Sequence, residues 1–169
     1  MISYRKILLW MAFVLGLFVL QTSLFPIFSW NGVSVNLMLV FTVSWSLLYG
    51  ARRGAFLGFM TGLLQDLATG MFFGMDVFVL TIIGYVTGAF SRNVFKDPVF
   101  LPAMATMWAT TAHYFFVLVL MLLLGYSFSL LYIGKTLLPA LCFNIFFAYP
   151  VYRATNRMQE WTKKRRGGR

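Results

Sequence analysis

The chain has 169 residues, 60% of them hydrophobic, 19% aromatic and only 11% charged, with a formal net charge of +10. Soluble domains are nearer about 45–50% apolar and about 25% charged, so this composition excludes a soluble globular fold and calls for faces that meet lipid. The length suits one compact bundle, and the basic residues fall in small clusters between apolar runs, a topology signal rather than a nucleic-acid footprint.

Six apolar runs follow in chain order, at about 7–28, 33–51, 54–73, 75–91, 99–124 and 128–150. Each is near the length that crosses a ~30 Å hydrocarbon core. The expected fold is an all-α integral membrane protein: a bundle of about six transmembrane helices over 1–152, then a basic tail over 153–169. The first run starts like a signal peptide at Arg5-Lys6 but stays apolar too long, with no small-residue cleavage site before Gln21. It reads as a retained anchor. Near the start of the second, Asn36 can cap a helix.

The third run carries the most information. Gly50, Gly54, Gly58 and Gly62 recur every four residues, then come Gln65, Asp66, Gly70 and Gly74. Glycines at that interval leave a bare stripe on a helix, which lets another backbone approach closely, and these glycine faces are expected to pack helices and hold a partner's transmembrane helix. Asp66 then falls at membrane depth, where a charge is costly and is kept for a purpose. The fourth run begins after a turn at Gly74 and Asp76 and contains Gly84 and Gly88. Runs three and four alternatively form a shorter hairpin that does not fully cross.

His113 lies midway along the fifth run beside Thr110 and Thr111. Its ring is expected to hydrogen-bond a neighbouring helix; proton relay and metal ligation are the competing roles. The sixth run holds Lys135, Pro139 and Asn144, and Pro139 is expected to kink it. Lys163, Lys164, Arg165 and Arg166 follow, placed to lie on anionic lipid.

Orientation follows from charge. Arg5, Lys6, Arg52, Arg53, Arg92, Lys96 and the C-terminal basic residues all fall on one side of a six-span bundle. The positive-inside rule then puts both termini in the cytoplasm. Trp30 and Tyr126 sit at the outer ends of runs, where amphipathic rings favour the interface.

The stretch Gly54-Ala-Phe-Leu-Gly58-Phe-Met-Thr-Gly62-Leu-Leu-Gln-Asp66-Leu-Ala-Thr-Gly70-Met-Phe-Phe-Gly74, followed by Gly84-Tyr85 and Gly88, resembles the rod shape-determining protein MreD family. Leu20-Gln21-Thr22-Ser23 and Pro26 at the end of the first run agree, as do the length and basic C-terminus. One departure is Val35-Asn36, where the family often has Pro-Asp. The resemblance implies a non-enzymatic scaffold of the bacterial inner membrane that regulates cell shape and peptidoglycan synthesis through contact with MreC. MreB, RodA and a penicillin-binding transpeptidase are the implied neighbours. The family is also similar in layout to the substrate-binding components of energy-coupling-factor transporters, so a small-molecule binder is the alternative. Ala12-x-x-x-Gly16 is a weak sign of that second reading.

Catalysis finds little support. One histidine, one cysteine (Cys142) and four acidic residues do not readily assemble a metal site, and no phosphate-cradling loop is present. No cofactor is expected. Two charges stand out instead. Asp66 lies ~18 Å in from Gly54, and Lys135 ~10 Å in from the opposite boundary, at 1.5 Å per residue. That common depth suggests an ion pair, the alternatives being that Lys135 snorkels outward, that it meets Asp76, or that Asp66 is protonated.

Overall fold

The computed structural model describes residues 4–24, 29, 33–69, 74–91, 100–125 and 130–164. They form α1 (Tyr4–Val19), a π-helical turn (Leu20–Leu24), α2 (Leu37–Tyr49), α3 (Ala51–Thr69), α4 (Met75–Phe90), α5 (Phe100–Leu123) and α6 (Leu130–Lys164). The fold is all-helical. Each predicted run holds one helix, because long stretches rich in Leu, Met, Phe and Ala satisfy every backbone group internally, as an apolar surrounding demands.

Among the described residues, only α5 and the Gly134–Trp161 part of α6 are long and apolar enough to cross a membrane by length and composition. With 13 and 16 residues, α2 and α4 span about 20 and 24 Å, short of a ~30 Å core. Helix α6 runs unbroken through both Pro139 and Pro150 and past residue 152, with Val151, Thr155 and Gln159 on a buried face.

Helix α2 is the axis of the molecule. It touches each of the other five helices, and nine of its 13 residues are buried. On one side Val40 and Phe41 pack with Ala148 and Val151 of α6, and Trp10, Phe13 and Leu17 of α1 close over them. On the other side Leu39 and Val43 meet Val79, Leu80 and Ile83 of α4 and Ala109 of α5. Outward faces carry large apolar side chains such as Phe56, Phe115 and Phe146. That inversion of the soluble pattern fits a helical membrane protein.

The α2–α3 corner turns within one residue. Gly50 takes φ 84°, a left-handed conformation that other residues resist, and its N–H caps Ser46.

Candidate functional site

Helices α3 and α4 are antiparallel and pack more extensively than any other pair. Gly54, Gly58 and Gly62 face α4, and Gly84 and Gly88 face α3. A Cβ at Gly62 would lie 2.6 Å from the Asp76 carbonyl oxygen, and one at Gly88 2.5 Å from the Ala51 nitrogen. At Gly58 and Gly84 it would strike the backbone carbonyls of Leu80 and Gly54. The backbones touch, so this face is filled by the chain's own α4 and leaves no space for a partner helix. Beside it Thr42 of α2 and Thr61 of α3 share a buried hydrogen bond of 2.8 Å.

At the far end of this pair Asp66, only 2% exposed, reaches across from α3 to the start of α4. Its Oδ2 accepts the backbone N–H of Gly74 at 2.9 Å and Val77 at 3.1 Å, and its Oδ1 that of Asp76 at 3.0 Å. The first turn of a helix has N–H groups with no partner inside the helix, and its dipole favours negative charge. Asp66 therefore caps α4 from a different helix. Gly74, at φ 100°, makes the turn that brings those N–H groups round.

Asp76 continues the network. Its Oδ2 accepts from Gln65 Nε2 at 3.3 Å, and its Oδ1 lies 3.1 Å from His113 Nε2 on α5. Gln65 Oε1 is buried without a partner.

The start of α2 is built the same way. Gln21 accepts the Met38 N–H at 3.0 Å, Asn36 that of Leu39 at 2.9 Å, and Asn144 of α6 that of Asn36 at 2.9 Å. Asn144 then donates to Thr110 Oγ1 at 3.0 Å. Two short helices thus begin inside the bundle, and side chains from other elements satisfy their first N–H groups. Asn144→Leu would orphan the Asn36 N–H and the Thr110 hydroxyl, at a cost of ~1–3 kcal/mol. Thermal unfolding in detergent should show that loss, whereas Cys142→Ala, exposed on the same helix, should change little.

Several sequence expectations are corrected. Lys135 is exposed on α6, and both Asp66 oxygens are engaged by backbone, so the two do not pair. The depth argument failed because equal depth says nothing about which faces meet. Nor does Asp76 meet Lys135, since its oxygens face Gln65 and His113. Gly50 is a turn residue whose carbonyl carbon lies against Gly88. Gly74 is a turn residue too, with nothing near its missing Cβ atom, and is not part of the packed stripe. Gly16 of the Ala12–Gly16 pair is equally uncovered. Gly70, Trp30, Arg92, Lys96, Tyr126, Arg165 and Arg166 lie outside the described residues, as do the side chains of Arg5, Lys6, Lys163 and Lys164.

Sequence reasoning missed Asp76 as the centre of the polar cluster. Part of its signal was available: an acid in the first turn of a helix, where the dipole favours negative charge. Among the described residues no three potential metal ligands come together. The cluster's polar atoms are directed mainly at backbone N–H groups and at one another. The Asp66 part of this arrangement fixes the start of α4.

No curated protein and no solved structure matches the chain. The family profile described as rod shape-determining protein MreD matches residues 1–155, nearly the whole length. The chain, with its all-helical bundle and glycine-packed α3–α4 pair, belongs to the MreD family of membrane proteins and, through it, to rod-shape determination.

Proposed function

We propose that this protein is a non-enzymatic scaffold of the cell-wall elongation machinery in the bacterial inner membrane. It acts by contact with MreC, with MreB, RodA and a penicillin-binding transpeptidase in the same assembly. The family match over residues 1–155 carries this reading. In the same reading the chain crosses six times with both termini cytoplasmic, and the basic tail rests on anionic lipid. The short α2 completes its crossing with the partly buried non-helical backbone of residues 33–36, which membranes tolerate where protein covers it.

The transporter-component alternative is weaker. A substrate site of that kind lines a midplane cavity with free polar groups. Here Gln21, Asn36, Asp66 and Asn144 are bonded to backbone at helix starts. Purification of the tagged chain from membranes, with mass spectrometry of what accompanies it, tests the proposal. Recovery of elongation proteins is expected; recovery of a pair of ATPases instead would overturn it.

A further inference from the structure

Helix α5 is held differently along its two halves. In the first half Pro102, Thr106, Ala109 and Thr110 are buried, whereas in residues 111–123 no residue is. There Ala112, Phe116 and Leu120 lean on the apolar cluster of α2 and α4 but stay partly open. Nor is the first half pressed tightly on α4. An apolar groove of about 310 Å³ lies between them, lined by Thr87, Phe90, Leu101, Ala105 and Trp108.

A polar link lies where the two halves of α5 meet. His113 Nε2 is 3.1 Å from Asp76 Oδ1, and the two side chains are 14% and 10% exposed, so the pair is not sealed from protons. Charge sets the strength of this link. Asp66 and Asp76 both stand at the first turn of α4, and Asp66 already spends its oxygens on backbone N–H groups. Gln65 gives Asp76 one neutral donor. A neutral imidazole adds a second neutral donor, but an imidazolium makes an ion pair and offsets one of two neighbouring negative charges. Histidine is the side chain whose charge ordinarily changes between about pH 5 and 8.

Among the described residues no other charge faces the pair. The Tyr114 ring lies beside His113 on α5 itself, and Tyr85 of α4 is exposed. Arg52 and Arg53 of α3 and Tyr49 of α2 lie at the opposite end of their helices. From α6 comes the neutral Asn144, bonded to Thr110, while Lys135 is exposed.

We propose that His113 and Asp76 form a pH-dependent latch. Protonation of His113 draws the second half of α5 onto the α3–α4 pair, and loss of that proton lets this half stand away. The proton is taken from water and returned to it. The latch requires neither a partner nor a particular orientation in the membrane.

His113 is the sole histidine of the chain, so isotope-labelled histidine in the full protein reports its protonation by NMR without ambiguity. The host is a phosphatidylcholine nanodisc. Spin labels at Phe78→Cys and Leu122→Cys, both exposed positions, read the gap between α4 and α5 in a Cys142→Ala background. From about pH 8 to pH 5 the imidazole should titrate. The ratio of near to far label populations should rise with it by ~5-fold, the gain from a neutral to a charge-assisted hydrogen bond. His113→Gln keeps a neutral donor and should hold the high-pH ratio throughout, and Asp76→Asn should be equally indifferent to pH. Unfolding temperatures report which variants are folded. An imidazole that does not titrate in this range would overturn the latch, as would label populations that fail to follow it in the native sequence. A pH response that persists in folded His113→Gln would overturn it too.

Discussion

Gly58→Ala should unfold or loosen the bundle, while the same change at Gly16 should leave it as stable or more so. Both glycines lie in helices, where alanine is intrinsically preferred by roughly 1 kcal/mol. The surroundings decide the sign. At Gly16 nothing lies within 4 Å of the added carbon, so only the propensity gain remains. At Gly58 that carbon would collide with the Leu80 carbonyl, which belongs to the backbone of α4 and cannot rotate aside. Relief requires α3 and α4 to separate along their whole contact, which also disturbs Gly54, Gly62, Gly84 and Gly88. Overpacking of flexible cores costs about 1–3 kcal/mol, and a backbone clash belongs at or above the upper end. Gly58→Leu should be worse still. Unfolding temperature in detergent, together with MreC co-purification, gives the comparison. Matching behaviour at the two positions would remove the close contact from consideration.

Asp66→Ala is the second large effect. It leaves the N–H groups of Gly74, Asp76 and Val77 without their acceptor at a buried helix start. Hydrogen bonds to a charged group contribute ~1.5–3 kcal/mol each, not additively, so a loss of ~3 kcal/mol or more is expected. Asp66→Asn keeps one acceptor oxygen and should fall between alanine and the native residue. The partner is the discriminating point. If Asp66 serves α4, then Lys135→Met should be nearly neutral, and its effect should add simply to that of Asp66→Asn. A coupling well above ~0.5 kcal/mol in that double-mutant cycle would reinstate an ion pair and sink the capping account.

Much of the helical layout was legible because its signals are local. Each apolar run contains one helix, and the glycine interval of four is enough to define a face on α3. Asn36 at the start of a run foretold a cap, and it accepts from Leu39 three residues on. The shortness of α4 was legible, since its run at 75–91 matches Met75–Phe90 to one residue, whereas that of α2 was not. Hydropathy measures how apolar a segment is, not where its helix starts: residues 33–36 alternate apolar and polar, with Val33 and Val35 buried, and pass as part of the run although they are not helical.

Asp66 shows where sequence reading stops. Its depth was countable from Gly54, but two groups at one depth meet only if their helices are neighbours turned toward each other. That choice is made by packing: the bare stripe docks α3 on α4, and the docking places the carboxylate over the first turn of α4. Lys135, on a different helix, points outward. The sequence by itself determined the lipid-facing class, the helix positions, the glycine face and the charge asymmetry, all of which are written in residue type and spacing. Only the tertiary structure decided that the glycines face the chain's own α4, that Asp66 and Asn144 cap other elements, and that Asp76 joins Gln65 to His113. Those partners lie between 8 and 108 residues apart in the chain, and no local pattern fixes how two helices rotate about their own axes when they meet.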